Sequence, residues 1–365
     1  LLLEPWKSSK PAGYWTNESR RWVNKMSEPI KQTVDQPRAG TGRPTPALTF
    51  VALAIAALFA VPGGYVLWRT ATAQVDHLDL LTSAATLDPL WRTVQLAVLV
   101  STTAALLGTG LAWLTTRTDL PLKRFWRIVV PLPLVYPSFV GAAAFLSGLT
   151  PGGIVHDLAG AIGFDLNLRL HGLFGAWLVL TLFTYPYVYL PVAARLAALP
   201  RGLEENARLL GDRPRTVFRR IVFPQITSSV AAGALLVFLY TVSDFGAVHL
   251  MRFETLTQTI FRTRLFDQDR SFTLAFLLLA LALLVIATER TVARRGARSA
   301  IISNQPALQV PLGRMKPLAL TAISFVVGLA LFAPAISLAD WGLFGWLRDQ
   351  NGTTALRMDW SDVIV

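Results

Sequence analysis

The sequence predicts an all-α polytopic membrane protein. Three observations carry that prediction. Hydrophobic residues make up 53% of the 365 positions and charged residues only 15%, whereas a soluble domain carries about a quarter of its residues as charge. The apolar residues gather into seven runs, 47–68, 93–115, 127–149, 172–194, 227–249, 272–288 and 318–339, each close to the ~20 residues that cross a bilayer as helix. The basic residues fall mostly in alternate connections between those runs. A hydrocarbon interior offers the backbone no water, so a spanning segment is a helix or part of a closed barrel, and runs this long are helices. This composition excludes an ordinary soluble enzyme and a disordered chain. The absence of Cys removes disulfides, thiolate zinc sites and iron–sulfur clusters. A net charge of +12 would suggest nucleic acid in a soluble chain; here basic loops facing a cytoplasm account for it.

Residues 1–46 form a polar tail. Its first 25 positions mix Trp6, Trp15 and Trp22 with scattered charge, and a plainer stretch rich in Pro, Gly and Thr opens at Met26. The expectation is that translation starts at Met26 and that residues 1–25 are read-through. The first run is followed by Ala71-Thr72-Ala73, which looks like a signal-peptidase site. The run is longer than the roughly 7–15 residues of a signal core, so it is read as a retained span. Of the 34 Lys and Arg residues, 25 lie in 1–46, 116–127, 195–222 and 290–316, and nine lie in the other connections. By the positive-inside rule the first set faces the cytoplasm, which puts the amino terminus inside and the end of this chain outside. Four arginines in 250–271 run against that pattern. Trp68, Trp91, Trp126, Trp177 and Trp341 sit at span ends, where interfacial aromatics belong.

The connection between the fourth and fifth runs is the most informative segment. Pro200 and the paired Glu204 and Glu205 suit the start of a helix, where carboxylates oppose the positive end of the dipole. Leu203, Ala207 and Leu210 recur on one face. Gly211 can take a positive φ and stop that helix, Asp212 and Pro214 start another, Val217 and Ile221 give it an apolar face, and Pro224 punctuates the entry to the fifth run. The expected product is a helix–turn–helix knuckle flanked by Arg213, Arg215, Arg219 and Arg220.

Here the chain resembles the permease subunits of binding-protein-dependent ABC importers. Their signature is Glu-Ala-Ala, three residues, Gly, nine residues, then Ile-x-Leu-Pro. This chain has Glu205-Asn206-Ala207, Gly211 and Ile221-Val222-Phe223-Pro224 at that spacing, with Asn206 for Ala and Phe223 for Leu. The resemblance implies the type I importer permease fold, a five-helix core plus an amino-terminal helix. It implies that the knuckle is a coupling helix seated in a groove of a separate cytoplasmic ATPase, with Glu205, Ala207 and Gly211 in that contact and Glu204, Ile221 and Pro224 in the same loop. The implied partners are an ATP-binding subunit dimer and an extracytoplasmic solute-binding protein, with no nucleic acid, and the implied location is a bacterial inner membrane. ATP would be used by the partner, and no cofactor is expected on this chain.

Two further motifs, Tyr185-Pro186-Tyr187-Val188-Tyr189 and Ser243-Asp244-Phe245-Gly246, look like those of ferric-iron permeases, so ferric iron is the expected solute. Thiamine, spermidine/putrescine and sulfate permeases vary these positions and stay as alternatives, as does a secondary transporter. Tyr185, Pro186, Tyr187, Asp244, Phe245 and Gly246 are the candidate translocation or gating residues. Pro186 removes a backbone donor in mid-span and permits a kink, although Pro in membrane helices is also ordinary packing. Asp244 lies roughly 25 Å into the fifth run at about 1.5 Å per residue. It is read either as a functional acid or as a helix-end hydrogen-bond group. Gly246 permits close helix approach. His77, His156, His171 and His249 all fall on the external side with no ligand spacing, and no metal site is expected.

No phosphate-binding loop of the Gly-x4-Gly-Lys-Ser/Thr type occurs, nor any catalytic motif with context, so the chain is not read as an enzyme. The charge-poor spans argue against a proton-coupled carrier. The domain reading is a cytoplasmic tail, 1–46; a six-helix permease half, 47–290; a cytoplasmic linker, 291–317; and the first helix and external segment of a second half, 318–365. The seventh run resembles the first: each follows a basic, Pro-containing linker and precedes an external polar stretch. The expectation is therefore a double-length permease cut short, which alone would need a second copy to complete a path and would carry its seventh helix as a passenger.

Overall fold

In the computed structural model, residues 46–73, 75–149, 153–161, 163, 170–199, 201–296 and 309–350 are described. The expectations about residues 1–45, the Met26 start among them, lie outside these. Residues up to Phe59 and residues from Ala60 onward form two units, and the packing below is that of the second. Among the described residues six helices are long and apolar enough to cross a membrane: Pro46–Thr72, Ala84–Arg117, Gly172–Ala198, Phe218–Ser243, Gln268–Thr288 and Gly313–Gly342. They match the first, second, fourth, fifth, sixth and seventh runs and keep those ordinals below. The all-α polytopic expectation holds.

The third run is not one straight helix. It comprises Lys123–Val135 and Ser138–Leu149, bent by 98° at their junction. Pro137 disfavours helical dihedrals at the residue before it, and Tyr136 is extended at φ −83°, ψ 122°. The fifth span also departs from expectation, ending at Ser243 rather than 249. The chain turns extended at Asp244, and a short helix, Gly246–Leu250, follows.

Two other prolines leave their helices intact. The helix expected to restart at Pro224 runs on from Pro214 into the fifth span, through a π turn at Phe218–Val222. The seventh span has a π turn at Gly328–Phe332, just ahead of Pro334. A helical proline lacks its N–H and its ring strikes the carbonyl four residues back. Widening the preceding turn removes that clash, and the residue before each proline bonds five back, Phe223 N to Phe218 O and Ala333 N to Gly328 O. Pro224 therefore does not mark a break. The fourth span likewise runs unbroken through Pro186 and Pro191.

The second, fourth and fifth spans form the centre. Leu96, Val100 and Ala104 of the second span and Val179, Leu180, Val188 and Val192 of the fourth are fully buried. Lipid is as apolar as these side chains, so helices associate through close packing rather than hydrophobic exclusion. Two glycines allow it. A Cβ at Gly108 would lie 2.7 Å from the Tyr185 carbonyl oxygen, and one at Gly233 would lie 2.7 Å from Val188 Cα. The second and fifth spans thus press on the same stretch of the fourth. The seventh span is no passenger. It buries Ala319, Ile323, Val327 and Ala330, and its Leu331 carbonyl accepts from Tyr136 Oη at 3.3 Å.

Ala for Gly in a helix interior normally stabilises by about 0.5–1 kcal/mol. That sign should appear for Gly110→Ala, where a Cβ meets nothing within 4 Å. It should reverse for Gly108→Ala and Gly233→Ala, which overpack at a cost of about 1–3 kcal/mol. Thermal unfolding in detergent checks this: the melting temperature should fall for the latter two only.

Candidate functional site

The hairpin between the fourth and fifth spans begins with the helix Arg201–Leu209. Gly211 follows at φ +92°, a left-handed conformation that glycine takes without strain. Asp212 N donates to Ala207 O at 3.1 Å, the six-to-one closure of a glycine-terminated helix. Pro214 then opens the next helix, and Thr216 N and Val217 N both donate to Arg213 O. The expected stop and restart are therefore present.

The faces are arranged differently from the expectation. Ala207 is buried, whereas Leu210 is 88% exposed and Leu209 is 84% exposed, so the anticipated single apolar stripe is split. The side chain of Leu203 lies outside the described ones. Gly211 and Pro224 are exposed, Glu205 and Ile221 are half-buried, and Val217 and Val222 are buried. Glu204 turns inward. Its Oε1 accepts from Arg117 Nη1 at 2.7 Å, and the guanidinium is fully buried.

Arg117 is a functional candidate that the sequence reading missed. It appeared there only as one of four basic residues in a connection, and no local pattern links it to a partner 87 positions away. It ends the second span, whose last carbonyls have no helical donors. Nearby groups supply them: Arg127 Nε donates to Thr115 O at 3.0 Å, Lys123 Nζ donates to Thr116 O at 2.8 Å, and Val310 N donates to Arg117 O at 2.7 Å. Asp119 accepts from Leu312 N at 2.8 Å and pairs with Lys316 Nζ at 2.7 Å. Residues 309–316, which lead into and open the seventh span, are thereby strapped to the end of the second. The Lys316 ammonium, with the Leu312 amide, holds the Asp119 carboxyl below its usual range.

The tyrosine run divides by face. Tyr185 and Tyr189 are buried; Tyr185 Oη donates to Val130 O at 2.6 Å, and Tyr189 Oη lies 3.1 Å from Thr115 Oγ1. These two phenols, with buried Pro186, lie inside the packed bundle. Tyr187 faces another way, toward Tyr240 of the fifth span at 5.8 Å between ring centroids. Asp244 is buried and accepts from Ser138 Oγ at 2.5 Å, Ala247 N at 3.0 Å and Val248 N at 3.4 Å. Its carbonyl accepts from Thr257 Oγ1 at 2.9 Å. The helix-end reading of Asp244 is thus realised, and Ser138 is a partner that the sequence did not indicate. Among the described residues no basic side chain pairs with this carboxylate. Phe245 stacks on His249, and a Cβ at Gly246 would lie 2.6 Å from Phe139 Cβ, so this glycine does serve close approach. Among the described residues no three His, Cys, Asp or Glu side chains gather in a metal-binding group.

Residues 104–295 match the family of binding-protein-dependent transport system inner membrane components. The chain belongs to that family. It is 29% identical over 247 residues to the Fe(3+)-transport system permease protein FbpB 2 of Haemophilus influenzae, an alignment covering 67% of this chain and 45% of that one. It is 27% identical over 213 residues to the molybdenum transport system permease protein ModB of Mycobacterium bovis, covering 57% of this chain and 80% of that one. The chain therefore spans less than half of the iron permease and most of the molybdenum one. A bacterial alginate ABC transporter, solved with an alginate pentasaccharide-bound periplasmic protein, shares the fold. Its TM-score is 0.52 at 15% identity, over 70% of this chain and 96% of that one. The chain is thus an inner membrane component of the binding-protein-dependent transport type, a family of transport components rather than enzymes.

Two outcomes follow from this geometry. Asp244→Ala strands Ser138 and two backbone amides and should lower stability by about 1–3 kcal/mol, whereas Asp244→Asn keeps a carbonyl acceptor for the amides and should melt close to the unaltered protein. The Asp119 contact has a depressed native pKa, so it is in place at neutral pH and is lost as pH falls through that lowered value. Exchange protection of the Leu312 amide should therefore persist down to roughly pH 4, the ordinary carboxylate value. It should fail only below that in the unaltered protein, and at every pH in Asp119→Ala.

Proposed function

We propose that this chain is the membrane-spanning half of an ABC importer that carries ferric iron into the cytoplasm by alternating access, driven by a separate ATPase. The observation that carries the reading is the hairpin at 201–224. It presents Leu209, Leu210 and Gly211 outward, while Ala207, Val217 and Val222 anchor it inward. A merely solvated connection has no reason to expose two adjacent leucines at its tip. A knuckle that seats in a groove of another protein does. Glu205, Gly211 and the leucines would form that contact, with Ile221 and Pro224 carrying it into the fifth span.

The amino terminus and the hairpin lie on the cytoplasmic side in this reading. Asp244, beyond the far end of the fifth span, lies toward the outside. A loaded binding protein docks there, ATP closes the motor dimer, and the permease passes between two arrangements that nucleotide biases. This chain binds no nucleotide and breaks no covalent bond. One such hairpin lies among the described residues, and in this reading a second permease half or a second copy supplies the other face of the path.

The substrate assignment is supported by charge. Asp244 is a buried acid without a basic partner among the described residues, and Tyr240, four residues before it on the fifth span, packs its ring against that of Tyr187. Where it is ionised, such an acid repels an oxyanion such as sulfate or molybdate and attracts a cation. Hard oxygen donors suit a hard cation such as ferric iron. Thiamine and spermidine/putrescine remain cationic alternatives.

Proteoliposomes holding the complete transporter and its binding protein test both levels. Gly211→Pro cannot keep φ +92°, and Glu205→Lys reverses a charge in the contact. Each should lower uptake per ATP hydrolysed by a factor within roughly 5–150, the span of ordinary coupling energies. Unchanged uptake in both would overturn the coupling assignment. Iron uptake resisting a large excess of molybdate and sulfate is the result expected for the substrate, and ATP-driven uptake of either oxyanion would overturn it.

A further inference from the structure

The Arg117–Glu204 pair joins elements that the chain order keeps apart. Glu204 is on the first helix of the hairpin, whose covalent neighbours are the fourth and fifth spans. Arg117 is the last helical residue of the second span. The Arg117 side chain has no exposure to water, and of its three guanidinium nitrogens only Nη1 has a partner. A buried cation with two idle donors is costly. Breaking its one ion pair would leave the charge wholly uncompensated, so Arg117 has to follow Glu204 wherever the hairpin goes. Nε and Nη2 form the other edge of the planar fork, and they allow the same carboxylate to be held in a second orientation. The strap at 309–316 is fastened to the same end of the second span through Arg117 O and Asp119. Displacement of that end therefore reaches the seventh span as well.

We infer that Arg117 is a positioning residue for transport, and that Glu204 belongs to this internal link rather than to the contact with the motor. The pair makes the second span, and the seventh strapped to it, move with the hairpin. The fourth and fifth spans are already tied to the hairpin by the chain itself. The inference rests on the coupling reading above, and the test separates the two.

In the reconstituted transporter, Leu210→Cys should cross-link to the ATPase subunit. If it does not, the coupling reading fails whatever Arg117 does. With that cross-link retained, Arg117→Met and Glu204→Gln should each lower uptake per ATP hydrolysed by a factor within roughly 5–150. The double exchange Arg117→Glu with Glu204→Arg should recover a substantial part of the loss, and Arg117→Lys should fall between. A merely structural role would lower the amount of assembled protein and leave the transport-to-hydrolysis ratio alone. That result, or a Glu204→Gln defect that abolishes the Leu210 cross-link while Arg117→Met is silent, would overturn the inference. Should Arg117→Met not assemble, the Glu204→Gln ratio and the rescue by the double exchange decide the matter alone.

Discussion

A guanidinium without access to water dictates much of the structure at one end of this bundle. Arg117 needs Glu204, and Glu204 can reach it only if the hairpin helix lies against the end of the second span with its carboxylate turned inward. That orientation fixes the rest of the helix. Ala207, about one turn on, is buried, while Leu209 and Leu210 are thrown outward. Replacing such a pair with apolar residues often costs nothing in stability, whereas removing one partner costs much. The pair is therefore better understood as a device that specifies an arrangement than as a source of net stability. It sits beside the carbonyls at the end of the second span, which draw in Arg127, Lys123 and the 309–316 strap for the same electrostatic reason.

The same accounting of polar groups explains where the helices are interrupted. Irregular backbone within a membrane protein is tolerated where protein satisfies it. The third span breaks at Pro137 and the fifth ends at Asp244, and the two interruptions meet: Ser138, first residue after the break, donates to the carboxylate that also receives Ala247 and Val248. Each defect supplies what the other lacks. Where no such partner is at hand, at Pro224 and Pro334, the helix instead widens by one residue and continues.

The spans, the knuckle and its glycine stop are legible in the sequence because each is written in local terms: an apolar run of sufficient length, a carboxylate pair, a glycine, a proline at fixed spacing. The break in the third run was visible in principle, in Pro131, Pro133 and Pro137, but hydropathy counts proline among apolar neighbours and gives no weight to the extended dihedrals it imposes on Tyr136. Three facts had no local trace at all. Arg117 finds Glu204 across 87 positions, Ser138 finds Asp244 across 106, and Leu312 finds Asp119 across 193. Helical periodicity also misled at Leu210. An i, i+4, i+7 pattern says which residues share a face, and it is silent on where a Gly211 stop will end that face and turn its last member out.

The division of the tyrosine run bears on how such a permease can move. Tyr185 and Tyr189, four residues apart, fasten the fourth span to the carbonyl of Val130 and to Thr115. Gly108 and Gly233 bring the second and fifth spans onto the backbone between them, with no space for even a methyl group. Sliding one of these helices past another would break buried hydrogen bonds and force backbone against backbone, and packed interiors resist such continuous deformation. The Tyr187 side chain, on another face, makes neither phenol bond and, among the described residues, meets the ring of Tyr240. An importer built on this frame thus has one economical way to change access. On the proposed reading it would swing the second, fourth and fifth spans as a unit, steered from the hairpin end, with the half-buried phenols and the Ser138–Asp244 junction taking up the change against the opposite wall of the path.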